Sequence, residues 1–88
     1  MDPIKCEIYD YIEIICLYRY RVKLTLTDGT HIQGQFDRTL YVNRNQQKHE
    51  AIAGINQQQQ AIEVILTDIT SIDVLSQNAS FSHISLIE

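Results

Sequence analysis

The chain has 88 residues, 44% of them hydrophobic and 20% charged, with a formal net charge of −4, three Gly and one Pro. That length supports one compact domain with a modest core, and the composition is that of an ordinary globular protein rather than a disordered or collagenous one. Apolar runs such as Ile14-Ile15-Cys16-Leu17 are broken by charge far short of the roughly 20 residues that span a bilayer. The N-terminal stretch sets Asp2, Glu7, Asp10 and Glu13 against Lys5 alone, the wrong charge for a targeting signal, so the expected location is cytoplasmic.

In chain order, the first pattern is helical. Ile8, Ile12 and Ile15 form an i, i+4, i+7 stripe with Tyr9 and Cys16 beside it, which predicts a helix over residues 5–16. Pro3 near the start and early carboxylates suit a helix N-terminus, although the isoleucines themselves favour strands. Glu7, Asp10 and Glu13 recur every three residues, so the same helix gathers three carboxylates on the side opposite its apolar stripe. Cys6 and Cys16 are ten residues apart, about 15 Å along a helix, whereas a disulfide needs Cα atoms within about 7 Å. Both thiols are expected to stay reduced.

From Tyr20 to Phe36 the period changes to two. Val22, Leu24 and Leu26 precede Asp28-Gly29, and Ile32, Gly34 and Phe36 follow it, the mark of a β-hairpin. A two-residue Asp-Gly turn would put the second strand's apolar residues on the wrong face. A three-residue loop, Thr27-Asp28-Gly29, pairs Leu24 with Ile32 and Val22 with Gly34, and sets Gly29 where a positive φ is required. Further strands are expected at Leu40-Tyr41-Val42, Ala51 to Ile55, Ile62 to Leu66 and Ile69 to Leu75, each about strand length. The polar stretches Asn45 to His49 and Gln57 to Gln60 read as hairpin loops, and Phe81 to Glu88 as an extra edge strand or a frayed tail.

The expected fold is mainly β with one N-terminal α-helix: a small Sm-like antiparallel β-barrel of five to six short strands. A single domain would hold the acidic helix at 5–16, the barrel at 20–75 and the tail at 76–88. No metal or cofactor is expected, since the two cysteines lack a Cys-x-x-Cys spacing and His31, His49 and His83 are scattered. Asn78-Ala79-Ser80 matches a glycosylation sequon, which without a secretory signal reads as coincidence. No nucleophile elbow or Gly-rich phosphate loop is present, and Asp28, Asp37, Glu63 and Asp68 fall at turns and strand edges, so the reading is not an enzyme and assigns no small-molecule substrate.

The run from Cys6 to Cys16, above all Tyr9-Asp10-Tyr11-Ile12-Glu13-Ile14-Ile15-Cys16, resembles the Rof family of Rho-binding antiterminators. The stretches Val22 to Gly29 and Leu66 to Ile72 resemble it too, and the likeness covers about residues 3 to 75. The resemblance implies an Sm-like barrel behind an N-terminal helix. It also implies a protein that binds the N-terminal RNA-capturing domain of the termination factor Rho and so inhibits Rho-dependent termination.

Joined to the charge pattern, this makes Glu7, Tyr9, Asp10, Tyr11 and Glu13 the expected partner-binding residues. Carboxylates are drawn to a basic groove built for nucleic-acid backbone, and tyrosines are frequent interface anchors. The alternative is an Sm-like RNA-binding module using Arg19, Arg21, Lys23, Arg38 and Arg44. Sm proteins carry an RNA-stacking loop resembling Asp-x-x-Met/Leu-Asn and an Arg-Gly in a second loop. Here Asp37-Arg38-Thr39-Leu40 is followed by Tyr41, and Thr67-Asp68 stands in the second region. With a net charge of −4 as well, direct nucleic-acid binding is disfavoured.

Overall fold

The computed structural model describes residues 6–77, 79 and 81–86, without the side chain of Cys6. The helix start expected at Lys5, the sequon at Asn78 and Ser80, and the last two residues of the tail lie outside the described residues. The elements are α1 (Cys6–Tyr18), β1 (Arg21–Leu26), β2 (His31–Arg44), β3 (Gln47–Asn56), β4 (Ala61–Ile65), β5 (Ile69–Val74) and β6 (His83–Ser85), with a 3₁₀ turn at Leu66–Asp68.

The isoleucine stripe makes α1 as expected: Ile8, Ile12 and Ile15 are buried against the sheet. The helix runs two residues past its expected end. It closes where the Arg19 N–H donates to the Cys16 carbonyl at 3.3 Å and the Tyr20 N–H to the Ile15 carbonyl at 3.1 Å, with Arg19 at φ 51°. This double bond pattern around a left-handed residue ends many helices and favours Gly. Arginine in that place gives no sequence signal for the stop.

The first hairpin has the expected register, Val22 opposite Gly34 and Leu24 opposite Ile32, around the three-residue loop Thr27–Gly29 with Gly29 at φ 88°. Asp28 Oδ1 accepts from the Thr30 hydroxyl at 2.7 Å and the Thr30 N–H at 3.0 Å, bonds that hold its carboxyl below the ordinary carboxylate pKa. The loop between β3 and β4 repeats the design. The Asn56 side-chain oxygen accepts from the N–H groups of Gln58 and Gln60 at 2.9 and 3.0 Å, and Gln59, at φ 64°, occupies the place of Gly29. A left-handed conformation costs a non-glycine residue about 1–2 kcal/mol, part of which glycine returns through its freer unfolded state. Gln59→Gly should therefore stabilise the fold by about 0.5 kcal/mol and raise the thermal midpoint by roughly 2–4 °C. An unchanged or lower midpoint would show that the turn carries no strain.

Two expectations are corrected in β2 and β3. Leu40-Tyr41-Val42 is not a separate strand: β2 runs 14 residues, and its pairing with β3 shifts between Phe36 and Arg38, leaving Asp37 in a bulge. No Gly or Pro stands between Phe36 and Leu40 to end the strand, and a bulge bends it without breaking the ladder. The loop expected at Asn45 to His49 shrinks to Asn45 and Gln46, at φ 54° and 65°. Positive φ at both positions is the two-residue turn that matches strand twist, so Gln47, Lys48 and His49 pair with Arg44, Asn43 and Val42.

The strands form one antiparallel sheet in the order β4-β3-β2-β1-β5-β6. The expected barrel does not close: β4 and β6 end the sheet as its two edges. The reason is the tail. Ser71, Ile72 and Asp73 of β5 pair on one side with β1 and on the other with Ser85, Ile84 and His83 of β6, so the edge that a closed barrel would offer β4 is occupied. The core lies between α1 and the sheet, with Val22, Leu24, Phe36, Ile52, Leu66, Ile69 and Ile72 fully buried beneath the helix isoleucines. Among elements of the sheet, α1 packs chiefly on β2.

Candidate functional site

Burying Ile8, Ile12 and Ile15 fixes the rotation of α1, and that rotation decides what faces solvent. Glu7, Asp10 and Glu13 are all exposed, as their three-residue spacing requires. Among the described residues ion pairs join Arg38 to Asp37 at 2.8 Å and Arg44 to Asp68 at 3.0 Å, and His83 Nδ1 lies 2.7 Å from Asp73 Oδ1. None draws on the carboxylates of α1. Arg19 and Arg21, the cations that follow α1 in the chain, are exposed and form no ion pair with them among the described residues.

The two tyrosines of the expected site part company. Tyr9 is half-buried and packs against the core on one flank of α1. Tyr11, 39% exposed, lies on the other flank, its ring edge-on to Phe81 with centroids 4.8 Å apart. From Phe81 the aromatic cluster continues to Tyr20 at 6.1 Å and on to Tyr18, which stacks on Tyr20 at 5.6 Å. Glu7, Asp10 and Glu13 thus share a face, with a tyrosine on either side.

The sequence reading missed the continuation of that face. Leu17 and Tyr18 are exposed in the last turn of α1, four residues beyond Glu13 and Ile14, the spacing that puts side chains one above the other. Their signal was present but lay past the expected helix end at Cys16. Asp37 was missed as part of this region as well. Burial first, then the negative charges of Asp37 and Glu13, push the Cys16 thiol up to about 11, so the bulge of β2 brings a fourth carboxylate toward the Glu13 end of the helix.

That thiol should be inert. The thiolate is the reactive species, and with a pKa near 11 only roughly one thiol in 1,000 is ionised at pH 8. In a Cys6→Ser background, iodoacetamide should label Cys16 slowly in the folded protein at pH 8 and rapidly in denaturant. Rapid labelling without denaturant would contradict the burial.

The basic residues are dispersed. Arg38 and Arg44 are held by Asp37 and Asp68, and Lys23, half-buried, stands opposite Asp73 in the ladder. An open groove is lined by Arg21, Gln33, Gln35, Asn56, Gln57, Gln59 and Leu75 around Gly34, a surface of amides and one guanidinium with no carboxylate, histidine or thiol. Among the described residues no group of three His, Cys, Asp or Glu gathers as for a metal ion, and no helix is long and apolar enough to cross a membrane.

A comparison with curated proteins gives no match. Among solved structures the chain is similar to YaeO bound to magnesium from Vibrio cholerae O395, at 35% identity and a TM-score of 0.72, over 88% of this chain and 95% of that one. The family model for modulators of Rho-dependent transcription termination (ROF) matches residues 3–86. A helix-first, single-sheet protein with that match over nearly its whole length belongs to the ROF family of modulators of Rho-dependent transcription termination.

Proposed function

We propose that the chain inhibits Rho-dependent termination by laying α1 in the RNA-binding groove of Rho's N-terminal domain, where Glu7, Asp10 and Glu13 stand in for RNA phosphates. Tyr9 and Tyr11 flank the contact. The observation that carries this reading is the exposure of Asp10 and Glu13 on the outer face of α1, free of Arg19 and Arg21 among the described residues. Family membership supplies the process, Rho-dependent termination, and charge supplies the mode: a cationic groove that tracks nucleic-acid backbone attracts negative groups without regard to sequence.

In this reading Rho is the protein partner, the action is cytoplasmic, and neither cofactor nor catalysis takes part. The order of α1 followed by β1 to β5 supports an Sm-like scaffold in which β6 stands where closure would occur. Binding of RNA by the chain itself is less well supported, because two of its five candidate cations, Arg38 and Arg44, are already paired.

The test is competition. Labelled single-stranded RNA bound to Rho should be displaced by the chain, termination in vitro should fall in parallel, and both effects should weaken steeply as salt rises, since exposed charge pairs are screened. A stable complex holding Rho, RNA and the chain together, with termination intact, would refute the proposal.

A further inference from the structure

The large hydrophobic side chains left exposed among the described residues are Tyr11, Leu17, Tyr18, Tyr41 and Leu75, and three of the five sit on α1. Leu17 is the most exposed of them at 73%, followed on the helix by Tyr18 at 63%. Leu17 lies four residues from Glu13 and seven from Asp10, on the line of the helix surface that carries the carboxylates. Its Cβ is about 5–6 Å from that of Glu13. A solvated acidic face needs no leucine at its end, and an apolar residue there is unsupported by the core.

A groove for single-stranded RNA has two kinds of subsite: cations that track the backbone, and apolar or aromatic seats on which the bases rest. Carboxylates alone match only the first kind. We infer that Leu17 is the base-like anchor of α1, entering a base seat of the RNA-binding groove while Asp10 and Glu13 meet the neighbouring phosphate-binding cations and Tyr18 lies over the rim. This rests on the proposal that α1 occupies that groove, and it adds what fills the apolar seats. Charge complementarity fixes the occupant: along the helix Leu17 follows the exposed carboxylates Asp10 and Glu13, so the apolar pocket that receives it is one with cations on that side.

The experiment titrates full-length chain against intact Rho at several salt concentrations, comparing wild type with Leu17→Ser, Leu17→Met and Glu13→Gln. Because Leu17 is exposed, Leu17→Ser should keep the folded spectrum. Burying a leucine side chain is worth about a 10–100-fold gain in affinity, so Leu17→Ser should weaken binding by that factor with an unchanged salt slope. Leu17→Met should restore it, and Glu13→Gln should flatten the slope. Each of the four ribonucleosides, a base without a phosphate, is then added in excess; at least one should weaken wild-type binding and leave Leu17→Ser binding as it was.

Leu17→Ser binding at wild-type strength, while Glu13→Gln still weakens it, would overturn the anchor and leave the acidic helix standing. Indifference of all variants would remove both. Sedimentation of the free chain covers the remaining occupant: a wild-type dimer that Leu17→Ser dissolves would assign Leu17 to a contact between copies and overturn the inference.

Discussion

Glu13→Lys and Asp10→Arg should each lower affinity for Rho by at least about 30-fold, with the circular dichroism spectrum and thermal midpoint unchanged. Disrupting one partner of a close interfacial charge pair costs about 2–5 kcal/mol, and a factor of ten corresponds to 1.4 kcal/mol. Reversal adds repulsion to the loss of attraction, so the effect lies toward the upper end. Both side chains are exposed and hold no ion pair among the described residues, and exposed substitutions of that kind usually change stability by no more than about 0.5 kcal/mol. The measurements are a pull-down of Rho from lysate and a titration of the purified proteins, read beside an in vitro termination assay. Retained binding by both variants would dismiss the acidic helix as the contact. Asp73→Lys provides the control. It reverses the charge of a carboxylate that contacts His83 on the sheet, and it should leave Rho binding within a few-fold of wild type.

Gly54→Ala should destabilise the fold by about 3 kcal/mol or more, enough to abolish much of the stability of a domain this size. Gly54 is buried in β3 opposite Phe36. A Cβ there would collide with the Gln35 carbonyl oxygen and come within 2.6 Å of Phe36 Cα and 2.9 Å of the Gln35 carbonyl carbon. All three atoms are backbone, so no side chain can turn aside to make room. The bulge at Asp37 lies next to this crossing, and moving β2 away would pull Phe36 from the centre of the core. Urea unfolding provides the check, with Gly29→Ala as the comparison. That substitution meets open space and costs only the positive φ of a turn residue, about 1–2 kcal/mol. A Gly54→Ala midpoint equal to that of Gly29→Ala would show that the strands do not approach so closely.

Local pattern sufficed for several elements. The isoleucine spacing defined the buried stripe of α1, and because three-residue recurrence places residues on one side, it also set Glu7, Asp10 and Glu13 outward before any packing was known. The first hairpin was legible to the residue, since the apolar faces of both strands and the positive φ at Gly29 admit a single register. Where such signals were absent the reading slipped. Arg19, Asn45, Gln46 and Gln59 all take positive φ without being glycine, so the end of α1 and the turn between β2 and β3 carried no glycine to announce them, and Leu40 to Val42 was separated from a strand that a bulge only bends.

The sequence by itself determined the helix, its acidic face, the first hairpin and the β character of the rest of the chain, because each depends on residues within a few positions of one another. Only the tertiary structure decided that the sheet stays open, since β6 takes the edge of β5 from ten to fourteen residues away. It alone decided, too, that Tyr11 meets Phe81 edge-on and that Leu17 stands exposed beside the carboxylates. Those outcomes depend on how far α1 extends and how it is rotated against β2, and packing between distant segments sets both.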